Sequence, residues 1–282
     1  MQNKLYNILV PVDFTGKNKW AIAKAIELAN NFDCNIHLVH IVFKPVLPFV
    51  PVDVSKYTPY ASHISMQSGR AKLAAMKANY KNQLCGNGEI EISLLQGHPQ
   101  QQLLQYIQSY NMDMVVIGLS RFNLVERIIS SVSISLLAKK TDIPILTVRS
   151  GGLVSHFKKI VLPLNNDIPV QRVKLATMLA RSFRSTVYLV SLRTERQPEQ
   201  SNLLDKTLEL VQSVSIIPVQ CFLLEGQNLA KSTLDFSRRI NADLIVGQCG
   251  KEFRLPGLWS KFTNKILSYA SKIPVLTFGK TA

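Results

Sequence analysis

Two stretches of this chain follow one pattern. Residues 4–42, KLYNILVPVDFTGKNKWAIAKAIELANNFDCNIHLVHIV, read strand, loop, helix, strand, and residues 157–192, FKKIVLPLNNDIPVQRVKLATMLARSFRSTVYLVSL, read in the same order. A self-similarity of that length implies one architectural unit used twice. The ends of the two units align without gaps. Asn111, Asp113, Pro144 and Thr147 recur as Asn241, Asp243, Pro274 and Thr277, all at one constant offset. At the front, Ile22, Ala25, Ala29 and Phe32 recur as Val173, Ala176, Ala180 and Phe183 at a second constant offset, and Pro11 recurs as Pro163.

The hydrophobic pattern then sets the element types. Short runs rich in β-formers predict buried strands at 6–12, 35–42, 113–118 and 143–148, and at 159–164, 185–192, 217–224, 243–247 and 273–278 in the second half. Residues 89–95, EIEISLL, alternate and predict a strand with one wetter face. Apolar residues at intervals of three and four predict helices, the clearest being Ile22, Ala25, Ile26, Ala29 and Phe32. Others are expected near 66–84, 100–110, 126–140, 170–183, 200–213, 228–240 and 260–271. Residues 43–63 hold four prolines and no helical period, so they read as an excursion. Strands alternating with helices imply right-handed crossovers and a parallel sheet covered on both faces. The expectation is two tandem doubly wound α/β domains of five strands each, 1–149 and 157–282, joined by a linker at 150–156. In such sheets ligands lie beyond the carboxyl ends of the strands, which directs attention to the loops after residues 12, 118, 164 and 247.

Composition narrows the function classes. The 282 residues are 46% hydrophobic and 18% charged, a folded rather than disordered profile. No apolar run reaches the roughly 20 residues of a membrane span. No secretory signal is read, so a cytoplasmic protein without a membrane partner is expected. The net charge of +15 is spread over both halves, with fifteen cations against nine carboxylates in 1–150 and eighteen against nine in 151–282. Its sharpest features are Lys139-Lys140, Lys158-Lys159 and Arg238-Arg239. Such charge attracts nucleotides, nucleic acid or acidic lipid, and it is also what a solvated basic surface looks like. Few aromatics interleave with it, so nucleic acid is not the expected partner. Cys34, Cys85, Cys221 and Cys249 form no CxxC pair and have no histidine at ligand spacing, so reduced, mostly buried thiols and no metal site are expected.

ILVPVDF (8–14), AIELANNF (25–32), LVHIV (38–42), Gln96-Gly97-His98-Pro99, DMVVIG (113–118), SSVS (130–133) and TDIPILTV (141–148), in that order, resemble the universal stress protein family. The second half carries the resemblance through IVLPLN (160–165), Leu224-Glu225-Gly226, DLIVG (243–247) and SKIPVLTF (271–278). The resemblance implies a role in stress response as a non-enzymatic sensor or scaffold, with an adenine nucleotide, ATP, as the ligand of those members that bind one, and Mg only with the nucleotide. It also implies that family members pair through the last strand of the sheet, so IPILTV and IPVLTF would meet inside one chain as a pseudo-dimer, with a homodimer of the whole chain beyond that.

For the first half the resemblance points to Pro11, Val12, Asp13, Ile41, Gly118, Arg121, Ser130, Ser131 and Ser133 as nucleotide contacts. The ATP-binding pattern after the fourth strand is Gly, two residues, Gly, nine residues, Gly, then Ser or Thr, because bare amides and a helix start cradle phosphate. Here the pattern is degenerate. Counting from Gly118, Arg121 takes the second glycine place, Ser131 the third and Val132 the hydroxyl place; a one-residue deletion would put Ser130 and Ser131 there instead. In the second half Asn165 replaces the Asp, and the gap-free register puts Gln248, Lys251, Lys261 and Phe262 in the four places. Each residue also has a plainer reading. Asp13 suits an Asx turn or cap, Gly118 a chain turn, Arg121 a solvated cation, and the three serines helix caps. No Walker-type GxxxxGK[ST], GxSxG or HExxH is present, so no catalysis is expected.

Overall fold

The computed structural model describes residues 5–42, 66–119, 133–149, 156–165, 168–193, 199–248 and 272–279. The expected Pro-rich excursion, nearly all of the linker and the expected helix at 260–271 lie outside these residues. The elements in order are β1 (Asn7–Pro11), α1 (Lys17–Phe32), β2 (Asn35–Val42), α2 (Met66–Lys81), β3 (Ile90–Gln96), α3 (Pro99–Ser109), β4 (Met114–Leu119), α4 (Ile134–Thr141) and β5 (Ile145–Arg149). They continue with β6 (Lys159–Pro163), α5 (Val170–Phe183), β7 (Thr186–Leu192), α6 (Glu199–Val214), β8 (Val219–Leu224), α7 (Leu229–Arg239), β9 (Leu244–Gln248) and β10 (Val275–Phe278).

All ten strands join one sheet in the order β3-β2-β1-β4-β5-β10-β9-β6-β7-β8. Every neighbouring pair is parallel except β5 and β10, which run antiparallel with Thr147 opposite Val275, Leu146 opposite Leu276 and Ile145 opposite Thr277. IPILTV and IPVLTF thus meet at the centre of the sheet, and Thr147 Oγ1 adds a hydrogen bond to the Val275 carbonyl at 3.1 Å.

The alignment read from sequence is repeated in hydrogen bonds. Asp113 Oδ2 accepts from the amides of Tyr6 and Asn7; Asp243 Oδ2 accepts from those of Lys158 and Lys159. Asn111 and Asn241 both take left-handed backbone, with φ of 47° and 53°. Asparagine tolerates that conformation better than most residues. Ile8 faces Met114 as Ile160 faces Leu244, so Gly118 and Gln248 occupy the same place in their strands.

One apolar cluster runs along one face of the sheet through both halves, under α1, α2, α5 and α6. On the opposite face each half has its own cluster, under α3 and α4 in the first and under α7 in the second. All five residues read as the apolar face of α1 are buried, and so, unexpectedly, is Lys24. Strand β3 does not show the clean alternation of its sequence: Glu91 and Ile92 are both exposed and the next three residues half-buried. It is an edge strand with only β2 beside it, so neither of its faces is fully covered. Cys34 is buried, but Cys85 and Cys221 are exposed, against the expectation of mostly buried thiols; Cys85 lies in the loop before β3 and Cys221 on the opposite edge strand β8. Among the described residues no helix is long and apolar enough to cross a membrane.

Beneath α3 the halves differ in chemistry. His37 Nδ1 lies 3.0 Å from Tyr106 Oη and 3.5 Å from Glu91 Oε2, Tyr106 Oη lies 3.0 Å from Ser93 Oγ, and the Tyr110 ring stacks on Tyr106. The same register positions in the second half are Tyr188, Phe222 and Phe236, an aromatic cluster with centroids 5.0–6.2 Å apart. His37 Nε2 is buried and has no hydrogen-bond partner among the described residues. Burial holds the imidazole below its ordinary 6.5, with the Glu91 carboxylate pulling weakly the other way. The unfolded chain therefore takes up a proton that the folded chain resists, and stability falls as pH drops below about 6.5. His37→Tyr, which installs the second half's residue, is expected to flatten that fall. Urea midpoints from pH 8 to 5 for both proteins test this, and parallel profiles would show that His37 is not the titrating group.

Candidate functional site

Strand β1 stops where Pro11 meets the loop to α1. The Val12 amide still donates to the Val39 carbonyl at 2.9 Å, and the Val12 carbonyl accepts from His40 Nδ1 at 2.7 Å. A carbonyl can only accept, so His40 carries its proton on Nδ1. Burial lowers the His40 pKa; the bond to Val12 and the Asp13 charge oppose that, and Lys72 adds to it. Next comes Asp13. Its Oδ1 accepts from the Thr15 amide at 3.0 Å and from Thr15 Oγ1 at 2.6 Å, while Oδ2 pairs with Lys17 Nζ at 2.5 Å. The Thr15 bonds make this an Asx turn. Burial pushes this carboxyl up, but the hydrogen bonds from Lys17 and Thr15 and the Lys17 charge outweigh it, so the group stays below its ordinary value and ionised. Phe14 follows with φ of 61°. That conformation is strained for a bulky side chain. Its ring lies 4.4 Å from that of His40, and Lys72 Nζ lies 5.4 Å from its centroid.

Gly118 lies inside β4 rather than at a turn. A Cβ there would collide with the Lys17 carbonyl oxygen and come within 3.5 Å of Ala21 Cβ. The missing side chain therefore lets the first turn of α1 press against the strand. Ser133 caps α4, its Oγ accepting from the Leu136 amide at 3.3 Å. The bond satisfies one of the free amides at the helix start. Its own amide donates to Gln100 Oε1 at 2.6 Å. Buried Gln100 is a residue that sequence reading misses; its only signal is its place directly after the His98-Pro99 break.

Pro11, Val12, Asp13, Ile41 and Gly118 thus gather at adjoining strand ends, β1 and β2 flanked by β4, with Ser133 at the start of α4. Arg121, Ser130 and Ser131 lie outside the described residues, as do Lys251 and Lys261. Among the described residues no group of three or more His, Cys, Asp or Glu side chains is placed to hold a metal.

The equivalent place in the second half is filled differently. Leu164 repeats the Val12 bond, its amide donating to Val190 at 2.7 Å, and Ser191 Oγ stands where His40 does, 3.3 Å from the Leu164 carbonyl. Asn165 is at the Asp13 position. Arg172, in the place of Ala21, is buried and donates through Nη1 to the Pro163 carbonyl at 2.8 Å.

A family model described as the universal stress protein family matches residues 5–149. A universal stress protein of Methanocaldococcus jannaschii is 22% identical over 148 residues, which is 52% of this chain and 84% of that protein. Among solved structures, a universal stress protein from Archaeoglobus fulgidus DSM 4304 superposes with a TM-score of 0.73 at 13% identity, with 98% of each chain covered. A functionally unknown protein from Pseudomonas aeruginosa PAO1 superposes with a TM-score of 0.55 at 14% identity, over 98% of this chain and 93% of that one.

Proposed function

Because the chain belongs to the universal stress protein family, we propose that it acts in stress response as a non-enzymatic sensor or scaffold whose first half takes an adenine nucleotide. One observation carries this reading: the ends of β1 and β6 differ in charge and in room. In the first half Asp13 is ionised and small Ala21 of α1 lies against Gly118. In the second the equivalent residues are a neutral Asn165 and Arg172, whose buried guanidinium donates to the Pro163 carbonyl at the end of β6. A nucleoside would find an acceptor at Asp13, able to exchange its Thr15 donors for ligand hydroxyls, and apolar contact at Pro11, Val12 and Ile41. The phosphate end is less prepared, since Gly118 faces the α1 backbone and the Ser133 amide is engaged by Gln100. Phosphate contacts would fall to Arg121, Ser130 and Ser131, with Mg arriving only with the nucleotide.

Thermal unfolding with adenosine, ADP and ATP at millimolar concentration tests the proposal. A ligand at a hundred times its dissociation constant adds about 2.7 kcal/mol. The wild type is expected to gain stability, and Asp13→Ala, compared with its own ligand-free baseline, is expected to gain much less. No gain for any of the three ligands would remove nucleotide sensing and leave a nucleotide-independent interaction protein. Phosphate release from ATP that Asp13→Ala abolishes would instead make it a slow hydrolase.

A further inference from the structure

The amino ends of the second half's strands carry a charge pattern that the function above does not use. Lys158 and Lys159 open β6, Arg181 and Arg184 end α5, and Arg238 and Arg239 end α7. Two hydrogen bonds tie these into one surface: Lys158 Nζ donates to the Phe183 carbonyl and Lys159 Nζ to that of Ile240, both at 2.8 Å. Lysines and arginines here satisfy helix C-termini and the dipole, which accounts for some of them. It does not account for their number. The equivalent positions in the first half are Tyr6, Asn7, Asn30, Asp33, Gln108 and Ser109, with no cation among them. Asp235, which pairs with Arg238 at 3.4 Å, and Asp243 are the acids set among the six.

The neighbouring loop has changed with the charge. In the first half it is Cys85-Gly86-Asn87-Gly88, held down because Asp33 accepts from the Asn87 amide at 2.6 Å and Asn30 accepts from that of Cys85 at 2.9 Å. In the second half Arg184 and Arg181 replace those acceptors, and a cation cannot receive an amide proton. There Val214 ends α6 and the loop runs Ser215-Ile216-Ile217, facing α5 across an open groove of about 580 Å³. Ile216 is fully exposed and Val214 exposed, beside exposed Arg181 and Arg184.

We infer that this end of the second half is a docking surface for an anionic lipid bilayer. Cations supply attraction to acidic headgroups, and the aliphatic loop supplies what enters the headgroup boundary. A nucleic-acid surface would show aromatics for stacking or polar groups for base edges, and a fully exposed isoleucine gains nothing there. The inference does not depend on the nucleotide proposal. It departs from the sequence expectation of no membrane partner, since the contact is peripheral and needs no spanning helix.

The test is co-sedimentation of the full chain with phosphatidylcholine vesicles holding phosphatidylglycerol at about 30%, an anionic surface of the kind that attracts basic segments, against phosphatidylcholine alone. Binding is expected only to the anionic vesicles and is expected to weaken with salt. Arg181→Glu with Arg184→Glu is expected to reduce it at least tenfold, since each basic residue near such a surface contributes roughly a fivefold factor. Ile216→Asp is expected to reduce it severalfold. Lys139→Glu with Lys140→Glu, on the other half, is expected to change it little. If the α5 variant melts abnormally, Arg238→Glu with Arg239→Glu answers the same question from α7. No binding to anionic vesicles at low salt overturns the inference, as does an equal loss from the Lys139 and Lys140 changes. Tighter binding to a DNA oligonucleotide, indifferent to Ile216→Asp, would reassign the surface to nucleic acid.

Discussion

Replacing Glu27 by Met is expected to destabilise the protein by about 3–5 kcal/mol, the usual consequence of removing one member of a buried ion pair. Lys24 is 1% exposed, and its ammonium pairs with Glu27 Oε2. It also lies 4.4 Å from the centre of the Phe157 ring, so it is enclosed between α1 and the start of the second half. Glu27 Oε1 reaches His156 Nδ1 at 3.0 Å. The pair therefore sits where the two halves pack. Its register equivalents in α5 are Leu175 and Met178, which pack against the shared core. The double change Lys24→Leu with Glu27→Met copies that apolar solution and is expected to recover most of the loss, because a buried ion pair and a well-packed apolar pair of similar volume are near equal in stability. Denaturant midpoints of the two single variants and the double close the cycle. A Glu27→Met effect below about 0.5 kcal/mol, the range of ordinary surface changes, would show that Glu27 is not what holds the Lys24 ammonium.

Lys24 also marks the limit of what the residues disclose. The apolar spacing of α1 is legible because periodicity reports one covered face. A lysine beside that face reads as solvated, and only the packing of a second copy of the unit buries it. The strands are legible for the same reason, and β2 falls at 35–42 as expected. Asn111 and Asn241 can be paired by counting, but their left-handed backbone, which explains the pairing, is visible only in the turn itself. In the candidate site, sequence places Asp13 in the loop after β1, and both of its readings fit, because an Asx turn and an acceptor awaiting a ligand use the same oxygens. Gly118 reads from sequence as a phosphate approach or a turn. The structure puts it within β4, one residue from the strand's end, against the Lys17 carbonyl, a contact between elements that no local pattern encodes. Gln100 escapes for a related reason. A glutamine in the first turn of a helix looks exposed until the cap of another helix is brought to its amide oxygen.

Leu276→Ala is expected to cost about 2–5 kcal/mol, the range for truncating a fully packed leucine, and to weaken both halves. Leu276 and Leu146 face each other in the antiparallel pair at the centre of the sheet, and each is 1% exposed. Among the described residues three pairs join β5 to β10, so the seam there has few hydrogen bonds of its own. What holds it is the apolar cluster that passes from α1 to α5 along one face, with Phe32 and Phe183 at 6.2 Å and Phe157 and Phe183 at 5.2 Å. A cavity at Leu276 opens in that shared cluster, so its effect should not stop at the second half. The measurement is amide exchange under native conditions, followed on peptides from α1 and from β10 in the variant and the wild type. Continuity predicts that protection falls in both by similar amounts, since both then open in one cooperative unit. If α1 keeps its wild-type protection while β10 loses its own, the halves unfold separately and the cluster is two cores in contact rather than one. The Glu27 and Leu276 variants then bear on the same question from opposite ends, one through a charge pair at the start of the second half and the other through the antiparallel strands at the centre of the sheet.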